Sequence, residues 1–120
     1  MIRGIITNNG QRIRISNGEI WMTAWELADL FYTTVGTIHA AIKKILKTNI
    51  LKDHEVCKYI KLENGNNADV YNLDMVIALS YQIDTGHSVT FRKWVINKVA
   101  SKQKDISLFI PIRSANTYNC

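Results

Sequence analysis

Lys43, Lys44 and Lys47 stand in a stretch that repeats isoleucine at Ile38, Ile42 and Ile45. Isoleucines at i, i+4 and i+7 line one stripe of an α-helix. On that wheel Gly36, Ala40, Lys43, Lys44 and Lys47 fall on the opposite face. Outward ammonium groups suit contact with phosphate oxygens, a chemistry that fixes position without reading sequence. Thr34 and Thr37 sit at the start of the same helix and His39 on its flank. Their hydroxyl and imidazole groups can donate or accept hydrogen bonds at that entrance. The plain alternative is a solvated helix face, the usual fate of a charge run.

A second cationic group follows. Lys58 and Lys61 lie in a strand-like run, and Asn64, Asn66 and Asn67 in the turn after it. Such a hairpin can lie along a phosphate backbone or in a groove, although Asn and Gly equally serve as turn formers. Lys43, Lys44, Lys47, Lys58 and Lys61 belong to neighbouring elements, so one joint patch is an option. Arg92, Lys93, Lys98, Lys102 and Lys104 form a third basic run. It reads as a solvated helix face, with Arg92 expected to pair with a carboxylate such as Asp74.

Other chemistries find less support. His39, His54 and His87 are dispersed and lack metal-ligand spacing with Cys57 or Cys120. Asp29, Asp53, Glu55, Asp69 and Asp74 form no paired-carboxylate arrangement. No Walker loop, Rossmann glycine pattern or nucleophile elbow is present. The expectation is therefore a binding protein and not an enzyme, with no catalytic residues, no metal and no cofactor. Trp21, Trp25 and Trp94 read as core or half-core residues rather than base-stacking platforms.

These residues need elements to hold them. Residues 2–22 are expected to form a small antiparallel sheet, with Asn8-Asn9-Gly10 as one turn and Asn17-Gly18 as a hairpin turn. Thr23 and Glu26 form a capping box ahead of a short helix that stops near Phe31 and Tyr32. Thr34 caps a second helix, from Val35 to Lys47. Two short helices with a brief break match a helix-turn-helix. The strand-like runs 56–62 and 68–71, joined by a turn cluster, occupy the place of a wing. Asn72 caps a third helix, apolar nearly all round and so central, with Gly86 at its stop. Ser88 caps a fourth, from Val89 to about Lys102, whose core face carries Phe91, Val95 and Val99 with Trp94 beside them.

The bulk numbers agree with one small domain. The chain has 120 residues, 47 % hydrophobic and 21 % charged, with a formal net charge of +5. A positive field draws polyanions such as DNA. Two cysteines make no disulfide framework and fit a reducing compartment, and no apolar run reaches the ~18 residues of a membrane span. Residues 1–104 are expected to be the domain. Residues 105–120, with Ile106, Leu108, Phe109, Ile110 and Ile112 around Pro111, form a tail: an edge strand, a docked arm, a dimer contact or a loose end.

Several blocks in order carry a family likeness. They are Ile20-Trp21-Met22-Thr23, Leu27-Ala28-Asp29-Leu30-Phe31, Thr37-Ile38 with Ile42 and Ile45-Leu46, Val56-Cys57-Lys58, Tyr71 to Ala78, and Phe91-Arg92-Lys93-Trp94. Together they resemble the RhuM family of bacterial virulence-associated proteins, over about residues 20 to 100. The last block is also similar to the N-terminal domains of phage antirepressor-like, Bro-type proteins. The resemblance implies a DNA-binding module for transcription regulation, without catalytic residues or cofactor, and the cysteine usage adds the expectation of a cytoplasmic protein. Family members commonly carry Arg or Ser where this chain has Val35 and Ala40, and the chain departs after Ala100.

The reading is an α+β fold: a helix-turn-helix with a winged-helix-like β-hairpin, a small N-terminal antiparallel sheet and two further helices. Its expected partner is double-stranded DNA, held largely through phosphates by Thr34, Thr37, His39, Lys43, Lys44, Lys47, Lys58, Lys61, Asn64 and Asn66, with a homodimer allowed. The alternative is a protein–protein interaction module on the same scaffold with eroded DNA contacts.

Overall fold

The computed structural model describes residues 2–106. It is an α+β fold with five helices and a small sheet. The strands are β1 (Arg3–Gly4), β2 (Ile6–Asn8), β3 (Ile13–Ile15), β4 (Glu19–Thr23), β5 (Cys57–Lys61) and β6 (Asn67–Asn72). The helices are α1 (Ala24–Phe31), α2 (Val35–Lys47), α3 (Asp53–Val56), α4 (Leu73–Gln82) and α5 (Gly86–Ile106).

The N-terminal sheet differs from the expected antiparallel one. β2 and β3 do pair around the Asn8-Asn9-Gly10 turn, where the Asn8 and Asn9 side chains accept backbone N–H bonds. Asn17-Gly18, however, makes no hairpin. β4 runs parallel to β1 and antiparallel to β6, in a sheet of order β1-β4-β6-β5. Gly18 has φ +114° because the chain crosses β1 there, and a Cβ on Gly4 would lie 2.3 Å from the Gly18 carbonyl oxygen. Close backbone approach, not turn closure, explains both glycines.

A buried arginine ties this crossing together. The Arg3 guanidinium donates to the Trp21 carbonyl at 2.7 Å, to Glu26 at 2.7 and 3.1 Å, and to Glu63 at 3.3 and 3.2 Å. Glu26 also accepts the Thr23 N–H, closing the capping box of α1. One side chain thus joins β1, β4, the start of α1 and the β5–β6 turn. The paired carboxylates raise the Arg3 pKa above its ordinary value. Burial pulls the Glu26 pKa upward, but the bonds from Arg3 and Thr23 outweigh it and hold the carboxyl below its ordinary value.

The helices close over the sheet. Leu27, Leu30 and Phe31 of α1 meet Ile38, Ile42 and Ile45 of α2 and Met75, Val76 and Leu79 of α4 in one core. Phe91 of α5 packs edge-on against Phe31, with ring centres 5.6 Å apart. α4 is central as expected, with Asn72 capping it through the Met75 N–H. It stops at Gln82, before Gly86, and Gly86 begins α5 instead. Ser88 is not the cap of α5. Thr85 takes that place, since the Thr85 hydroxyl accepts the Ser88 N–H while the Ser88 hydroxyl accepts the Thr85 N–H. Trp21 is buried and Trp94 half-buried, but Trp25 is largely exposed, as is Val99. The chain after α2 makes a single-turn helix before the hairpin, which then joins the main sheet through β6. Of the expected tail, Asp105 and Ile106 belong to the end of α5, and the remainder lies outside the described residues.

Candidate nucleic-acid interface

The corner between α1 and α2 sets the presentation of α2. Tyr32 ends α1 in the left-handed region, φ 53° and ψ 59°, an unusual conformation for a non-glycine residue. Two contacts from the start of α5 hold it there. Thr85 donates its hydroxyl to the Phe31 carbonyl at 2.7 Å, and His87 stacks on the Tyr32 ring at 5.1 Å. Thr34 then caps α2, its Oγ1 accepting the Thr37 N–H at 3.1 Å.

Ile38, Ala41, Ile42 and Ile45 bury one face of α2 against α1 and α4. The opposite face is open. Gly36, His39, Ala40, Lys43, Lys44 and Lys47 are all exposed, as are Thr34 and Thr37. No carboxylate occurs in residues 30–52, which hold Lys43, Lys44, Lys47 and Lys52. Among the described residues none of these lysines forms an ion pair. Lys44 and Lys47 lie in the last turn of α2, where positive charge complements the helix dipole. The two threonines are less free: their hydroxyls share a hydrogen bond at 2.9 Å.

The hairpin contributes differently. Strand alternation sends Lys58 and Lys61, three residues apart, to opposite faces of β5. The Lys58 ammonium lies 4.3 Å over the Trp21 ring, held against the protein. Both Lys58 and Lys61 are exposed. Asn64 and Asn66 are exposed in the turn, where the Asn64 Oδ1 accepts the Asn66 N–H at 2.9 Å and Gly65 takes φ +89°. Their first role is to close the turn. No hydrogen bond or ion pair joins this hairpin to α2 among the described residues. Arg92 likewise lies over the Tyr81 ring at 5.3 Å and pairs with no carboxylate among them.

Two residues escaped sequence reasoning. Lys52 extends the carboxylate-free basic stretch, and the missing acids between Asp29 and Asp53 were the signal for it. Arg3 anchors the β5–β6 turn through Glu63, and nothing in its strand context marks it. Among the described residues no three His, Cys, Asp or Glu side chains group as metal ligands, and no helix is long and apolar enough to cross a membrane. Comparison with known proteins finds no match to any family model, curated protein or solved structure.

Proposed function

We propose that this chain is a DNA-binding module of RhuM type and acts in transcription regulation. In this reading α1 and α2 are a helix-turn-helix, β5–β6 is its wing, and the duplex is held largely by phosphate contacts. The observation that carries the reading is the outer face of α2: exposed lysines, no acid within a long stretch of chain, and small residues at Gly36 and Ala40 that permit close approach. Lys43, Lys44 and Lys47 serve as phosphate contacts, while Lys61 and the Asn64–Asn66 turn reach a neighbouring backbone. Thr34, Thr37 and His39 stand nearest the bases, and Ala40 can meet a thymine methyl.

The sparse first half of that face favours a second reading, a protein-interaction module with eroded DNA contacts. Binding of a labelled random duplex, followed by anisotropy at 50 and 200 mM salt with RNA as competitor, separates the two. The proposal expects affinity that falls steeply with salt and a preference for duplex DNA. Absence of binding at low salt, or binding indifferent to salt, refutes it.

A further inference from the structure

We propose that residues 107–112 of the chain itself cover an apolar groove formed by β3, β4, α4 and α5. The groove has a volume of about 510 Å³. Its walls include Ile15 of β3, Leu73 and Ile77 of α4, and Trp94 and Val99 of α5, and among the described residues Lys98 is the sole charged one lining it. Even Lys98 lays its ammonium toward the Trp94 ring, at 5.7 Å. Ile15 is 48 % exposed, Leu73 41 % and Val99 60 %. A contiguous apolar surface of this kind marks a place where something binds.

The occupant follows from the chain that leaves α5. Residues 107–112 read Ser-Leu-Phe-Ile-Pro-Ile, with four large apolar side chains and no charge. Reach is sufficient. At about 1.5 Å per helical residue, the end of α5 at Ile106 lies roughly 10 Å beyond Val99 and roughly 18 Å beyond Trp94. Six extended residues span up to about 20 Å. A short tether also holds its segment at an effective concentration on the order of millimolar. At ordinary protein concentrations that advantage favours the chain's own segment over a second copy.

The substitution Leu73→Asp tests this through its coupling to residues 109 and 110. Leu73 is the first residue of α4, where a carboxylate is favourable to the helix dipole. Leu73 is 41 % exposed, so even on an open groove the change gives up the buried part of the side chain. Under a covering segment it places a charge against apolar side chains and lowers the folding constant about tenfold or more, the scale of losing one large buried side chain. Urea titrations of the full chain would compare L73D, the pair Phe109→Ser and Ile110→Ser, and all three together, at two protein concentrations. The proposal expects L73D to be costly alone and several-fold less costly once residues 109 and 110 are serine. A neutral L73D overturns it, and so do additive costs. A cost that grows with protein concentration also overturns it, by assigning the groove to a second copy.

Discussion

Replacing Lys43, Lys44 and Lys47 together with alanine should flatten the salt dependence of DNA binding while leaving the fold intact. The fold should survive because all three side chains are exposed and none is ion-paired among the described residues. Alanine gains a few tenths of a kcal/mol in helix propensity at each position, whereas Lys44 and Lys47 give up a favourable dipole contact of about 0.3–1 kcal/mol each. These terms nearly cancel, so the melting temperature should move by only a few degrees. Each phosphate contact contributes about 0.9 to the slope of log affinity against log salt. Three contacts make about 2.7, and between 50 and 200 mM salt that slope corresponds to roughly a 40-fold loss of affinity. The variant should therefore lose that part of the salt response, equally on every duplex sequence. Anisotropy titrations across four salt concentrations read the slope, and circular dichroism confirms the fold. A variant with the parent's slope would refute the assignment of these lysines to phosphates. A loss confined to one sequence would move them to base contacts instead.

Other expectations concern the frame that holds the interface. Arg3→Met leaves Glu26 partly buried without its partner and should cost about 3 kcal/mol, the scale for breaking a buried pair from one side. In the parent the folded Glu26 pKa lies below its ordinary 4.5, so its stabilisation is complete above about pH 4.5 and is lost as pH falls through the folded value. In the variant burial acts unopposed by Arg3, and urea midpoints should begin to fall at a higher pH; coincident acid limbs would disprove the clamp. Gly4→Ala sets a methyl 2.3 Å from the Gly18 carbonyl oxygen, a backbone contact that cannot yield, and should cost about 3 kcal/mol; an unchanged denaturation midpoint would contradict the crossing. Burial, with help from Asp69 and Asp53, pushes the Cys57 thiol up from 9.0 to about 11. Its thiolate fraction at pH 8 is then about a hundredfold below that of the unfolded chain, so iodoacetamide should label the Cys57 peptide far faster in urea. Equal rates by mass spectrometry would remove that reasoning.

Local chemistry was legible in the chain, and distant pairing was not. The isoleucine stripe and Thr34 delimit α2 at Val35 to Lys47 because period and cap are both local signals. Thr23 and Glu26 delimit α1 for the same reason. Asn17-Gly18 misleads because the same dipeptide that closes a hairpin also tolerates a tight crossing, and only the distant Gly4 decides between them. Thr85 and Ser88 exchange reciprocal bonds, so either hydroxyl fits a cap and only the observed start of α5 selects Thr85. Arg3 was invisible because its partners are 23 and 60 residues away. The opposite facing of Lys58 and Lys61 was legible, since an odd spacing on a strand already divides them.

The two halves of α2 differ in what they can offer a duplex. In the first half the Thr34 hydroxyl is committed to the Thr37 N–H and is shared with the Thr37 hydroxyl. Turning it toward a base gives up the cap, at about 1 kcal/mol. A good bidentate base contact is worth about 1–3 kcal/mol, so a single threonine contact of lesser quality gains little after that loss. His39 is the remaining side-chain donor there, because Val35, Gly36 and Ala40 have none. In the second half every outward residue is a lysine, whose flexible ammonium follows any phosphate. Under the proposed function, this face therefore holds DNA firmly and discriminates weakly. Sequence preference would have to come from duplex shape or from contacts beyond α2.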